Sequence, residues 1–469
     1  MAEPKNVVIL GGGVAGLAAA HYLARDGHRV TVVEKAPHTG GLCASFQSHG
    51  FTLDHGPHKM YSVVPGVLDE LKSIMGDELI EHRKRNRIRL LGRYLDYPLS
   101  LGNLLPLLGP VRSVKMGLDY AAAMASGVVN GKPPSSYEDY VVRRFGRSVY
   151  QLVFEPLAWK VWGDPKKLAA ELAAARIPSG GATELILRLL KLKESTPDVD
   201  APFFLYPRKG FGAFPDKLAS NVKAASGRIL TGANVVGVER DGARVTGLRV
   251  EQGSEHTLLP CDLLVSSIPI HGLSDLLELG DGDTDRADLR SRQLLLVYLV
   301  IDEDRVLEDH WIFFPEREFP FSRLFEQKAM SAELGPEGKT VLCCDLTCDM
   351  DDELWKSSDE DLAKRCLRAM ESVGVTSEDR LSASFVKRFR DFYPVYSIDY
   401  RERLAARYEK LRVVDNLIPT GRLGMFNYNN SDHCLDMGRF IAEGVANGDA
   451  AGDIWDALEK RVRSYRIVD

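Results

Sequence analysis

Residues 7–35 read VVILGGGVAGLAAAHYLARDGHRVTVVEK, and this stretch decides the fold of the cofactor half of the chain. An apolar run, Val7 to Leu10, leads into Gly11, Gly13 and Gly16 in G-x-G-x-x-G spacing. Leu17 to Leu23 is apolar in the manner of a packed helix, and a second short strand, Arg29 to Val33, ends on Glu34. Strand, glycine turn, helix and strand, with an acid ~20 residues past the turn, is the pattern of a dinucleotide-binding unit. Gly11 permits the tight turn, Gly13 lets the backbone approach a pyrophosphate, and Gly16 lets the helix lie close on the strand. The helix N-terminus offers unpaired N–H groups and partial positive charge to phosphates. Glu34, with Lys35 beside it, can accept hydrogen bonds from ribose hydroxyls.

The next residues say which dinucleotide. A second glycine pair, Gly40-Gly41, is followed by Leu42, a short strand from Phe51 to Leu53, and Asp54-His55-Gly56-Pro57-His58. An ordinary NAD dehydrogenase does not need that second pair. The combination resembles the extended fingerprint of FAD enzymes of the amine oxidase, protoporphyrinogen oxidase and UDP-galactopyranose mutase superfamily. The resemblance implies non-covalent FAD, with Gly40, Gly41 and Leu42 passing close to its flavin side. It also implies a closing strand and helix near the C-terminus with a glycine that meets the flavin. Gly421-Arg422 through Gly438 fits that place.

With 469 residues the chain exceeds what one core usually holds, so two or three domains are expected. A composition of 45% hydrophobic and 27% charged residues is that of a globular protein. The net charge of −6 gives no reason to expect a nucleic-acid partner, and an anionic substrate would need a local basic pocket. The seven cysteines are odd in number and fit no zinc spacing, so no metal site is expected, and Cys344 and Cys348 read as strand packing. The expectation is a reduced, cytoplasmic protein. No apolar run approaches the ~20 residues of a membrane-spanning helix. Leu99 to Val129, rich in Leu, Met and Ala, reads as a buried helical subdomain, with peripheral membrane contact as the alternative.

The expected architecture is α/β. A Rossmann-like FAD-binding domain of the GR2 type, discontinuous in sequence, takes residues 1–60, 205–270 and 410–469. A mainly helical insert takes 61–204 and an antiparallel-sheet substrate domain 271–409. Val67 to Met75 and Tyr137 to Phe154 carry helical spacing, Pro133 to Ser136 marks a helix start, and Glu194 to Ala201 is a polar loop closing the insert. A helix from Phe214 to Ala225 and strands at Arg228–Thr231, Asn234–Arg240, Arg244–Val250 and Cys261–Ser267 return to the cofactor domain, with Val235 near the adenosine half. Leu294–Ile301 and Thr340–Thr347 read as antiparallel strands.

Four blocks sharpen the resemblance. They are GFTLDHGPH with RNRI and GRYLDYPL (residues 50–99), SYEDYVVRRFG with FEPLAWKVWGDP and AAARIP (136–178), WIFFPEREFPFSR (311–323) and GRLGMFNYNNSDHCLDMG (421–438). In this order, over essentially the whole chain, they are similar to UDP-galactopyranose mutases, most of all the eukaryotic-type branch. That resemblance implies a reduced flavin acting as a nucleophile on the anomeric carbon of a UDP-sugar, with UDP leaving and returning and no net redox change. NAD(P)H is then a candidate reductant. It implies a diphosphate clamped by Arg176 and Arg323, with Tyr428 and Asn430 on the same group. Trp162 is a candidate for stacking on the sugar, with core packing, shared by Trp159, as the readier reading. His58 matches the histidine in the loop at the flavin ring, and Arg422 and Asp432 fall where the ribityl chain and pyrophosphate are held. Arg176 and Arg323 also admit a bland reading as salt-bridge residues, and Asn430 and Asp432 one as helix caps.

Departures from the mutase pattern lie mainly on the substrate side, although Gly56-Pro57-His58 also replaces a Gly-Gly-His in the flavin segment. Phe313 stands where the family has a tyrosine, and Leu324-Phe325-Glu326-Gln327-Lys328 replaces a small polar stretch. An FAD oxidoreductase with an apolar pocket is therefore the alternative, and a catalytically silent flavoprotein a third reading. The basic run Arg83, Lys84, Arg85, Arg87 and Arg89 reads as a solvated face, part of which could draw in an anion.

Overall fold

The computed structural model describes residues 3–99, 101–130, 133–176, 202–280 and 288–467. The loop read at Glu194 to Ala201 lies outside them. A five-stranded, all-parallel sheet has the order Leu417–Pro419, Leu263–Ser266, Asn6–Leu10, Arg29–Glu34, Arg228–Thr231. Its central strands are continuous apolar runs because both faces are covered. The helix Val14–Arg25 buries Leu17, Ala18, Ala19, Ala20 and Leu23. The helix Ser431–Asn447 packs across it, and a Cβ on Gly438 would stand 2.6 Å from the Ala18 carbonyl carbon, so only glycine permits that crossing. A three-stranded antiparallel sheet, Ala233–Asp241, Arg244–Gln252 and Glu255–Pro260, flanks this unit. The discontinuous cofactor unit thus has the Rossmann-like architecture that the sequence implies.

The second large element is a seven-stranded sheet ordered Leu381–Pro394, Ser291–Ile301, Thr340–Cys348, Arg323–Glu326, Trp311–Phe313, Asn86–Leu90, Arg93–Asp96. Its strands pair antiparallel except where Trp311–Phe313 runs parallel to Asn86–Leu90. The long strand Ser291–Ile301 is buried on both faces. Leu295, Val297, Leu299 and Ile301 pack toward the helix Asp359–Glu371, whereas Leu294, Leu296 and Tyr298 meet Phe51, Leu53 and Trp311. This second face looks onto the cofactor unit. All seven cysteines are free, and Cys344 and Cys348 are buried on one strand.

The 61–204 insert, mainly helical in its described residues, also holds strands: Leu79–Arg83 pairs with Phe203–Pro207, and Asn86–Leu90 with Arg93–Asp96 extends the large sheet. Three expectations need correction. Arg87-Ile88-Arg89-Leu90 alternates with period two, so the basic run is a strand whose apolar face is buried. Its cations are spent locally, Arg85 on Glu308, Arg87 on Asp309 and Arg89 on Glu316, rather than on drawing in an anion. The Leu101–Asn130 helix, broken at Gly109, is not a buried subdomain. Leu104, Met116 and Ala123 face inward, but Val111, Val114 and Leu118 are 82%, 64% and 66% exposed. The Tyr137–Phe154 spacing is interrupted because Gly146 (φ +82°) ends the helix Tyr137–Phe145.

Candidate active site

The two glycine turns press on each other. Gly40 donates its N–H to the Gly12 carbonyl at 2.8 Å, and a Cβ on Gly41 would stand 3.2 Å from the Gly13 Cα. Gly13 is the extended residue that starts the helix Val14–Arg25. Gly16 lies inside that helix, where an added Cβ would fall 2.0 Å from the Gly11 carbonyl oxygen. Its role is close packing of turn and helix, and it does not line the cavity below. The Glu34 carboxylate accepts from the Gly12 N–H at 2.6 Å and the Ala36 N–H at 2.7 Å, which fixes it at the mouth of the turn.

A cavity of about 980 Å³ opens from this corner. Among the residues singled out from sequence, Gly11, Gly13, Glu34, Lys35, Gly40, Gly41, Leu42, Val235, Gly421 and Arg422 line its cofactor side. His58, Arg176, Arg323 and Asn430 line it as well. The residues fit an extended dinucleotide. The helix N-terminus and glycine backbone would face its pyrophosphate, and Glu34 with Val235 would flank a ribose and base. Arg422 stands at the other end with its guanidinium held by the Asn429 carbonyl (3.1 and 2.8 Å). Beyond Arg422 the chain turns into the helix Ser431–Asn447, where the Asn430 side chain caps the first turn and its N–H donates to His433 Nδ1 at 3.1 Å. Asp432 is buried in that turn outside the lining.

Two arginines reach the cavity from different elements. Arg323 begins the strand Arg323–Glu326 and lies opposite Asp345 in the sheet, donating Nε to Oδ2 at 2.7 Å. Arg176 ends the helix Ala170–Arg176, with its guanidinium 4.8 Å from the Trp162 ring centroid and 5.1 Å from that of Tyr428. Trp162 donates its Nε1–H to the Tyr428 hydroxyl, which donates in turn to the Pro394 carbonyl at 2.7 Å. Trp162 and Tyr428 are therefore a buried pair behind Arg176, holding it by cation–π attraction, and are not part of the lining.

His58 stacks on Phe211 with centroids 4.7 Å apart, and its Nε2 is buried without a hydrogen-bond partner among the described residues. Burial first, then the charges of Arg323 and Arg422, push its pKa down to about 4. The ring is neutral at pH 7, with a polar atom left for a ligand.

Sequence reasoning missed Lys59, Trp311, Lys387, Phe389, Phe392 and Tyr393, which all line the cavity. Lys59 directly follows His58 and could have been found by extending that motif. Lys387, 3.8 Å from the Phe46 ring centroid and held below its ordinary pKa by burial, carries no local signal. Its place follows from the pairing of Lys387 with Leu296 across the sheet. Phe313 packs on Tyr97 and not on the cavity, so the absent hydroxyl leaves no gap in the lining. The Leu324–Lys328 run is buried structure: Glu326 accepts from the Leu307 N–H at 2.6 Å, and Lys328 binds Asp304 at 2.6 Å.

Comparison with known proteins gives one family and several chemistries. The model of the flavin containing amine oxidoreductases matches residues 14–423. Coproporphyrinogen III oxidase of Bacillus subtilis (strain 168) is 21% identical over 466 residues, covering 93% of this chain and 96% of that protein. Phytoene dehydrogenase of Streptomyces griseus is 25% identical over 290 residues, 55% of this chain and 53% of that one. A crystal structure of reduced UDP-galactopyranose mutase superposes with a TM-score of 0.81 at 18% identity, covering 99% of this chain and 100% of the other. At that identity the likeness is one of fold.

Proposed function

The chain belongs to the flavin containing amine oxidoreductases, and from that premise we propose that it is a nucleotide-sugar mutase that holds FAD non-covalently in the large cavity. It is a flavin-dependent enzyme of the amine oxidase superfamily. Bound flavin supplies the reactive centre, and the protein supplies binding, orientation and electrostatics. The observation that carries the substrate reading is the meeting of Arg176 and Arg323 in one cavity beside His58. Each guanidinium is positioned by a different device, an aromatic pair for Arg176 and the Asp345 carboxylate for Arg323. Planar donor forks suit the oxygens of a diphosphate, where leaving-group charge develops. Lys59 and Lys387 add positive charge to the same wall. His58, neutral at pH 7, can donate or accept one hydrogen bond at Nε2 without adding charge.

The test starts from protein reduced anaerobically with dithionite and given UDP-galactopyranose, followed by cyanoborohydride trapping and mass spectrometry. A flavin–sugar adduct, with furanose product from reduced enzyme only, supports the mutase. Absence of an adduct with UDP-, GDP- and dTDP-sugars, in protein whose flavin cycles freely, rejects it. One observation favours a second reading, an oxidoreductase acting on an apolar anionic substrate. Leu294, Leu296, Trp311, Phe389, Phe392 and Tyr393 give the wall a strongly apolar and aromatic character. That reading expects one two-electron acceptor reduced for each two-electron oxidation, hence three per porphyrinogen taken to porphyrin, and porphyrinogens are the first substrates to assay, given the Bacillus relative.

A further inference from the structure

A second, smaller cavity of about 410 Å³ lies next to the large one. Ser322 lines the small cavity and its chain neighbour Arg323 lines the large one. Both side chains donate to the same carboxylate: Ser322 Oγ to Asp345 Oδ1 at 2.6 Å, Arg323 Nε to Asp345 Oδ2 at 2.7 Å. The small cavity is therefore separated from the first by one buried acid, and nothing in the proposed reaction uses it.

Its lining combines two arginines and a buried lysine, whose pKa burial lowers to about 7, with aromatic side chains, and the Arg317 guanidinium lies over the Trp159 ring. Arg292 is 8% exposed; its terminal nitrogens donate to Asp349 (2.8 Å) and the Thr347 carbonyl (3.1 Å), while its Nε is buried with no hydrogen-bond partner among the described residues. Lys160 gives two N–H groups to the carbonyls of Phe314 (2.6 Å) and Phe321 (2.9 Å). Arg317 places its guanidinium 5.8 Å from the ring centroid of Trp159, which is 40% exposed. Phe319 supplies a second aromatic wall. The one acid in the lining, Asp352, accepts from the Asp349 N–H at 2.7 Å and lies 3.9 Å from an Arg292 terminal nitrogen, so Arg317 is the guanidinium there with no carboxylate in ion-pair range among the described residues. A buried guanidinium donor without an acceptor calls for one, and an exposed indole at a concave, cation-bearing wall offers a stacking face.

We propose that this cavity is a binding site for a small aromatic anion, an aryl carboxylate or its equivalent, stacked on Trp159 with its charged group toward Arg317 and Arg292. The site does not depend on which reaction runs in the large cavity.

The probe is 1-naphthoate, titrated calorimetrically and by tryptophan fluorescence into FAD-loaded protein, with acetate and 1-naphthalenemethanol as the anion without the ring and the ring without the anion. One molecule binds per chain, quenches fluorescence and leaves the flavin absorbance unmoved, and each control binds at least tenfold more weakly. Trp159→Ala and Arg317→Ala each weaken naphthoate at least fivefold; both are exposed enough for folding to survive, which the flavin spectrum and Tm verify. Naphthoate that shifts the flavin spectrum and is indifferent to both substitutions is bound in the large cavity, and overturns the proposal. So does no binding, or equal binding of the neutral alcohol.

Discussion

Tyr206 gives its phenolic hydrogen to Oδ2 of Asp54, fastening the strand Phe203–Pro207 to the residue that precedes the His55–His58 loop. Asp54 is fully enclosed and also accepts from Ser45 Oγ at 2.6 Å and the Phe211 N–H at 3.1 Å. Its own N–H donates to Gln327 Oε1 at 3.1 Å, and its carbonyl accepts from the Tyr298 hydroxyl at 2.7 Å. One residue, through its carboxylate and its backbone, thus ties the glycine segment, the strand Phe203–Pro207 and the large sheet to the loop that carries His58. Asp54→Ala strands three donors and is expected to cost about 3 kcal/mol or more, at roughly 1–3 kcal/mol per orphaned group. Tyr206→Phe should cost about 1–2 kcal/mol. Urea unfolding of the loaded protein, read with FAD release, measures both.

On the proposed reading, in which Arg323 meets substrate rather than cofactor, Arg323→Ala is expected to lower kcat/KM by ~10²–10³ while flavin absorbance stays normal. Arg323→Lys should recover little, since a single ammonium cannot keep Asp345 and bind two oxygens as a planar fork does. Steady-state kinetics on both variants, with FAD content determined by absorbance, decides this. Equal losses of FAD and activity would move Arg323 to the cofactor.

Acid should destabilise the protein well above the range where carboxylates titrate. Burial lowers His55 to about 3 and His58 and His310 to about 4. Between the ordinary value of about 6.5 and those values the unfolded chain binds protons that the native chain does not, so stability falls as pH drops through that window. Tm measured from pH 8 to 4.5 should be flat above pH 7 and decline below 6.5. His310→Gln, outside the cavity lining though beside Trp311, should shallow the decline while the flavin content stays unchanged at pH 8.

Gly16→Ala puts a methyl group where the Gly11 carbonyl oxygen stands. The turn must open, and purified variant protein is expected to hold less than about a tenth of the wild-type FAD, with the loss exceeding the ~1 kcal/mol scale of an ordinary glycine substitution. Flavin absorbance per chain is the check.

Much of the cofactor half was legible because its signals are local. The glycine spacing, the apolar strand before it and the acid after it lie within about thirty consecutive residues, and the amphipathic helix Val67–Met75 is bracketed by Gly66 and Gly76. What escaped depends on pairing between distant segments. Lys387 reaches the cavity through its register with Leu296, and Trp162 meets Tyr428 across 266 positions. The Asn86–Leu90 strand was hidden by arginines on its outward face, although its period-two alternation was readable. The exposed Val111, Val114 and Leu118 were read as core because composition alone does not tell which side of a helix meets water.

The parallel sheet under the cofactor takes its edge strand from Leu417–Pro419, and Gly421, Arg422 and Asn430 follow directly. A ribosome makes these residues about four hundred positions after the glycine turn. The nascent chain can form its first strand, glycine turn and helix early, yet it lacks one wall of the cavity until these residues have emerged. Flavin loading thereby waits on the joining of two distant segments, and a chain arrested before residue 417 would leave the ribosome without a completed place to keep its cofactor.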